Sequence, residues 1–224
     1  MLTDHHCHIL PGIDDGSKNE DMSLEMIRQM HAQGVERIVA TPHFYCHREK
    51  SVERFIEKRQ QAFSKVKSLD IPIKDIWLGA EVAIEHGISE VSGIEKLAIE
   101  GTDYILLEFP YTAYAGWMME EIENISCDFG LTPVIAHIHR YLRFFSKDDM
   151  ENVLAQGYVF QINNEAFGNW TERRFVKALI KDGHRVVFGS DSHNIDTRKP
   201  NFDLLLKKMK ADEVKGLSEK VFGG

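Results

Sequence analysis

Short β-like runs alternate with helix-like runs along the whole chain, and this alternation most limits how it can fold. Strand candidates span residues 1–7, 37–41, 76–80, 104–109, 132–136, 158–162 and 185–189. Their cores are β-branched or aromatic, as buried strands require. Helical patterns fall between them at 20–33, 52–69, 116–129, 147–156, 172–182 and 202–210. Gly34, Gly130, Gly157 and Gly183 stand where helix C-caps are expected, and Ser146 reads as an N-cap. Such alternation predicts a parallel sheet covered by helices. Seven units are too many for a small sheet and suit a TIM-like α/β barrel, whose site lies at the C-terminal strand ends. No repeat, low-complexity tract or linker divides the chain, so residues 1–224 are expected to form a single domain.

Composition narrows the class. No apolar run approaches the roughly 18 residues of a membrane span, and no basic segment precedes an apolar one at the start, so a cytoplasmic protein without membrane insertion is expected. The three cysteines, Cys7, Cys46 and Cys127, are scattered and odd in number, which argues against a disulfide framework. Packing is the expected role of Cys7 and Cys127. A net charge of −8 disfavours nucleic acid as a partner. It does not disfavour a phosphate substrate, because three divalent ions would add about six positive charges locally.

The chemistry begins at Asp4-His5-His6-Cys7-His8. In an extended strand His6 and His8 share a face, with Asp4 on the same side, a half-shell for a divalent metal. By the same alternation His5 points away and reads as structural. His43 follows the second strand, Glu81 the third and Glu108 ends the fourth; His137 ends the fifth, and Asp191 and His193 follow the seventh. The sixth offers Gln161, Asn163 and Asn164 instead. A single polar residue at a strand end is ordinarily a loop residue; a set along one rim is a metal centre. Nitrogen and carboxylate donors without paired cysteines suit Mn²⁺, Fe²⁺ or Zn²⁺, and the set exceeds the need of one ion. His31, His47, His86 and His184 lack supporting spacing and read as surface residues.

Several of these stretches resemble the polymerase and histidinol phosphatase (PHP) superfamily: D-x-H-x-H, Thr41-Pro42-His43, Gly79-Ala80-Glu81, Ala136-His137 and Ser190-Asp191-Ser192-His193. His8-Ile9-Leu10-Pro11-Gly12-Ile13-Asp14-Asp15-Gly16 is similar to the bacterial capsule-operon protein-tyrosine phosphatases within it, as are Leu106–Pro110 and Asp191–Asn194 with Thr197-Arg198. The resemblance implies a distorted (β/α)₇ barrel, three divalent ions, often manganese, and hydrolysis of phosphotyrosine on a bacterial tyrosine kinase of capsular or exopolysaccharide synthesis. The implied ligands are His6, His8, Asp15, His43, Glu81, Glu108, His137, Asp191 and His193, with Asp14 as the alternative to Asp15. Arg140 and Arg198 match phosphate-binding positions. The family commonly reads AHPER after the fifth strand, whereas this chain reads Ala136-His137-Ile138-His139-Arg140.

The residues support phosphoester hydrolysis on their own terms. An arginine fork matches phosphate oxygens, and both arginines fall within a few residues of a candidate ligand. No cysteine opens a C-x₅-R loop, so the expected nucleophile is a metal-bound hydroxide rather than a thiolate. Aromatics on the expected rim, among them Phe44, Tyr45, Tyr111 and Tyr141, offer stacking for a phosphotyrosyl ring. A small-molecule phosphatase of the same superfamily, such as one acting on histidinol phosphate, is the alternative.

Overall fold

The computed structural model describes residues 1–223. Nine short strands form: β1 (Thr3–Cys7), β2 (Arg37–Ala40), β3 (His43–Phe44), β4 (Asp75–Leu78), β5 (Glu81–Ala83), β6 (Tyr104–Glu108), β7 (Thr132–Ile135), β8 (Val159–Asn163) and β9 (Arg185–Gly189). They build a three-stranded sheet, β1-β2-β4, and a six-stranded sheet, β3-β5-β6-β7-β8-β9, and every pairing is parallel.

The count exceeds the seven strands expected because a short strand follows each of two expected ones after a break. Pro42, which has no amide to donate, separates β2 from β3. Gly79 and Ala80 separate β4 from β5. Backbone bonds from Gly79 N to Ala40 O (2.9 Å) and from Glu81 N to Pro42 O (3.0 Å) carry the pairing across both breaks. The buried Arg59 donates from Nη1 to Gly79 O at 2.7 Å and anchors the second break. At the other edge, Asp191 N donates to His6 O (2.7 Å) and His8 N to Ser192 O (2.9 Å), so the segment after β9 runs beside β1. Gly189 permits that approach: a Cβ there would lie 2.7 Å from His6 Cβ.

Seven α-helices cover the sheets: α1 (Glu20–Ala32), α2 (Val52–Lys67), α3 (Gly116–Phe129), α4 (Lys147–Ala155), α5 (Trp170–Lys181), α6 (Phe202–Leu206) and α7 (Ala211–Phe222). None is long and apolar enough to cross a membrane. Ser146 caps α4 through a reciprocal capping box with Asp149, and the four C-cap glycines all take positive φ. Two expectations need correction. The 202–210 helix stops at Leu206, and α7 was not anticipated. Gly216 inside α7 lowers its intrinsic helicity by about 1 kcal/mol, so tertiary packing holds it instead. Val221 seats under an apolar layer of Leu106, Val134, Val159 and Val187, and Tyr104 donates to Val221 O at 2.7 Å.

That layer fixes where polar residues stand. Side chains two apart share a face, so Leu106 is followed on its face by Glu108, Val159 by Gln161 and Asn163, and Val187 by Gly189. The apolar layer sits toward the strand starts, and the polar one at the strand ends.

Candidate metal centre

The nine side chains expected as ligands come together at those strand ends. Glu81 is their hub. Its Oε2 lies 3.0 Å from His6 Nε2, 3.2 Å from His8 Nε2 and 3.1 Å from His43 Nδ1. Its Oε1 lies 2.9 Å from His137 Nε2, which is 3.4 Å from Glu108 Oε1. Asp191 Oδ1 stands 3.4 Å from His8 Nε2 and 3.6 Å from His6 Nε2. Asp15 Oδ1 stands 3.4 Å from His193 Nε2 and 3.6 Å from His43 Nε2. Three overlapping groups could each hold a divalent ion: His8, Asp15, His43 and His193; His6, His8, Glu81 and Asp191; and His43, Glu81 and Glu108.

The residues fit metal ions. Glu81 Oε2, His43 Nδ1 and His193 Nε2 are buried, and none has a hydrogen-bond partner despite the crowding. Buried polar atoms are rarely left so, and a shared cation satisfies oxygen and nitrogen lone pairs that cannot satisfy one another. The charge balance agrees. Burial alone would keep His137 neutral, yet Glu108 and Glu81 push its pKa up to about 9. Burial likewise opposes a proton on His8, and Asp14, Asp191 and Glu81 overcome it. The cluster demands positive charge.

A second tier of side chains aims the first. Asp14 Oδ2 accepts from His8 Nδ1 at 2.8 Å and from His43 N at 3.0 Å, while its Oδ1 accepts from Gly16 N at 2.9 Å. Burial opposes its ionisation, but His8 and these amides hold the carboxyl below the usual range. Asp15, whose side chain is 65% exposed, instead reaches over the cluster toward His193. The two adjacent carboxylates therefore separate into an orienting group and a candidate ligand. Asp4 corrects the half-shell expectation. It joins none of the three groups and accepts from Ser190 N (2.8 Å) and Ser190 Oγ (2.6 Å), tying β1 to the segment after β9. β8 supplies the remaining supports. Gln161 Oε1 meets His6 Nδ1 at 3.0 Å and accepts from His137 N at 2.8 Å, and Asn163 donates to Asp191 Oδ2 at 2.8 Å. Among the described residues, His137 and Asp191 are the only non-glycines at positive φ, 31° and 49°. Local strain of this kind concentrates at functional sites.

A cavity of about 230 Å³ opens over the cluster, lined by His43, Tyr45, Glu81, Glu108, Tyr111, His137, Arg140, Asp191 and Arg198. Both arginines grip Asp191, Arg198 Nη2 at 3.0 Å from Oδ1 and Arg140 Nη2 at 2.9 Å from Oδ2. Arg140 Nη1 donates to Tyr111 OH at 3.3 Å. Of the aromatics expected to hold a ring, Tyr45 and Tyr111 line this cavity. Phe44 does not: it is buried edge-on against Phe55. Tyr141 is also buried, its hydroxyl donating to Phe109 O at 2.8 Å. Cys7 packs in the core as expected, whereas Cys127 is exposed. His5 lies on the opposite face of β1, stacked on Phe222 and 2.6 Å from Ser218 Oγ. His31, His47 and His86 are exposed, and His184 is half-buried against the edge of Phe160. A larger cavity of about 740 Å³ lies elsewhere, between α4 and α5, lined mainly by apolar side chains such as Phe145, Met150 and Leu179.

Sequence reasoning did not single out Glu165, whose carboxylate lies beside Arg140. Glu165 lies in the 3-10 turn Asn164–Gly168 after β8, where strand alternation has ended, so no periodic signal in the sequence marked it.

Comparison with known proteins places the chain among relatives. Residues 2–222 match the family model for capsular polysaccharide synthesis, CpsB/CapC. The tyrosine-protein phosphatase CpsB of Streptococcus pneumoniae is 30% identical over 238 residues, covering 96% of this chain and 94% of that protein. The tyrosine-protein phosphatase YwqE of Bacillus subtilis is 28% identical, covering 88% of this chain and 79% of that protein. A crystal structure from work on these two proteins, described as unique metal-dependent tyrosine phosphatases, superposes with a TM-score of 0.74 at 26% identity, covering 100% of this chain and 88% of that one. An organophosphorus hydrolase variant from Deinococcus radiodurans, 14% identical, shares the fold at a TM-score of 0.56, covering 99% of this chain and 92% of that chain. The chain therefore belongs to the CpsB/CapC family of capsular polysaccharide synthesis proteins.

Proposed function

We propose that this protein is a metal-dependent protein-tyrosine phosphatase acting on the phosphotyrosyl tail of a bacterial tyrosine kinase that drives capsule or exopolysaccharide assembly. The observation that carries the reading is the convergence of four histidine nitrogens on Glu81 beneath a cavity walled by Arg140 and Arg198. In this reading His6, His8, Asp15, His43, Glu81, Glu108, His137, Asp191 and His193 hold three divalent ions, most naturally Mn²⁺, with Fe²⁺ or Zn²⁺ also suited to these donors. The two sheets act as one distorted seven-unit barrel, supported by the backbone bonds joining β1 to the segment after β9. The whole chain serves as a single cytoplasmic domain.

When bound, the ions supply the Lewis acidity that makes hydroxide near neutral pH and offsets charge on the phosphoryl oxygens. The protein does the rest. Arg140 and Arg198 reach the phosphoryl group from two sides of Asp191, donating charge-assisted hydrogen bonds to its oxygens. Tyr45 and Tyr111 flank the entrance and can stack on a phenyl ring. No thiolate contributes: burial pushes the Cys7 thiol well above its usual range, and Cys46 and Cys127 do not line the cavity. His139 is buried beside Glu165 and lines a neighbouring cavity instead. The two imidazoles that do line this one, His43 and His137, are taken up as metal ligands in this reading, so none is left to serve as an acid for the leaving group. A phenolate, whose conjugate acid has a pKa of about 10, leaves without one far more readily than an alkoxide.

The test compares kcat/KM for a phosphotyrosyl peptide, a phosphoseryl peptide and histidinol phosphate on the Mn²⁺-loaded protein. The phosphotyrosyl peptide is expected to lead by more than tenfold. Equal turnover of phosphoserine, or a much higher value for histidinol phosphate, would replace this reading with the small-molecule one.

A further inference from the structure

Arg140 is held by more than its candidate substrate. It sits on the 3-10 turn Ile138–Arg143 after β7, and two carboxylates hold the Nε–Nη2 edge of its guanidinium while Nη1 meets Tyr111 OH at 3.3 Å. Glu165 Oε1 accepts from Nε at 3.0 Å and also from Nη2. Asp191 takes Nη2 as well, but that carboxylate is shared with Arg198 and with the histidines of the metal cluster. Glu165 belongs to none of the candidate metal groups. Its remaining neighbours are Asn163 Nδ2 at 3.4 Å and His139 Nε2 at 3.9 Å. His139 is one of the two residues, with Ile138, at which the loop departs from AHPER, and it packs on the same carboxylate. Burial resists ionisation of Glu165, yet His139 and Arg140 hold its pKa down at about 2.

We infer that Glu165 is the positioning residue of Arg140, fixing the Nε–Nη2 edge so that Nη1 faces the phosphoryl oxygens. The inference rests on the phosphate-binding role proposed for Arg140. A long side chain otherwise free to change rotamer is preorganised by a dedicated carboxylate, and lost preorganisation costs rate even where no contact to substrate is removed. Asp191 is a poorer brace, because its carboxylate also serves Arg198, His8 and His6.

The experiment is a double-mutant cycle on the Mn²⁺-loaded protein with p-nitrophenyl phosphate as substrate and inorganic phosphate as inhibitor. Metal content and thermal midpoint are recorded for each variant. Glu165→Ala is expected to lower kcat/KM by about 10–100-fold and to weaken phosphate inhibition, with metal content unchanged. Glu165→Gln, which keeps an acceptor oxygen without the charge, should fall between Glu165→Ala and the parent; it also serves if the alanine variant does not fold. In an Arg140→Ala background Glu165→Ala should cause no further loss. An equal penalty in both backgrounds, or no penalty in the parent, overturns the inference while leaving the role of Arg140 intact. Parental kinetics in Arg140→Ala would instead remove Arg140 from the phosphate site, and the inference with it.

Discussion

His6 and His8 leave β1 on one side and His5 and Cys7 on the other, so residues one peptide bond apart live in different chemistries. On the first side every imidazole nitrogen faces an oxygen: Gln161 and Glu81 at His6, Asp14 and Glu81 at His8. On the second, Cys7 lies in the apolar core with Sγ 3.6 Å from Val39 O, and His5 stacks on Phe222 under α7. Burial pulls the His5 pKa down to about 3, with Arg37 adding to it, whereas carboxylates lift that of His8. Both imidazoles are fully enclosed, so burial alone does not set their charge. Burial prevails at His5, and the carboxylates enclosed with His8 reverse it there.

That contrast can be broken experimentally, beginning on the metal-facing side. Glu81→Ala, which removes the hub of the cluster, should cut turnover by about 10³-fold or more and strip metal, as read by elemental analysis. Exhaustive chelation of the parent should do the same, and readdition of Mn²⁺ should restore it. Retained activity with verified negligible metal would end the metal reading. Next, Arg198→Ala and Arg140→Ala should each lose about 2–3 kcal/mol of transition-state stabilisation in kcat/KM at unchanged metal content. Asp14→Ala tests the split between adjacent carboxylates: a 10–100-fold loss of metal affinity is expected for an outer partner, with activity recovered at high Mn²⁺. A variant that saturating Mn²⁺ cannot rescue would make Asp14 a ligand.

The opposite side should answer in stability rather than in rate. His5→Ala deletes the stack on Phe222 and leaves Ser218 Oγ without its partner, at a cost of about 2 kcal/mol in denaturant unfolding. Its kcat should match the parent within about twofold; a large kinetic loss at full folding would dissolve the distinction between the faces. The smallest effect is expected from changing Cys7, Cys46 and Cys127 together to Ser or Ala, with turnover largely kept once folding is verified. A trapped cysteinyl phosphate would refute this.

Much of the architecture was legible because the core strands are continuous apolar runs, and each candidate ligand stands close to the end of one. Glu108, His137 and Asp191 are examples: the run stops and the polar layer begins. What periodicity missed depended on three-dimensional packing. α7 carries Gly216 and only a thin apolar stripe, so its helicity comes from Val214 and Val221 seating in the core. The expected strands end at the breaks around Pro42 and Gly79, and the short strands beyond them, His43–Phe44 and Glu81–Ala83, were missed because two or three residues are too few to show a period. Asp14 and Asp15 look equivalent in sequence, and only their different partners separate them. Phe44 and Tyr141 looked like rim aromatics because they adjoin the candidate site residues His43 and Arg140, yet both side chains are buried. Glu165 was passed over as a solitary acid in a polar loop, since nothing local tells that Arg140 stands beside it.

The left-handed backbone at His137 and Asp191 bears on how this scaffold can be improved. Conformations of that kind cost of order 1–3 kcal/mol each in residues other than glycine. Glycine adopts them freely. A campaign that selects only for heat resistance is therefore drawn, at these two positions, toward a residue with no side chain to offer. Durability and chemistry compete there for the same sites, and a thermostable variant meant to stay active has to exempt both from the library.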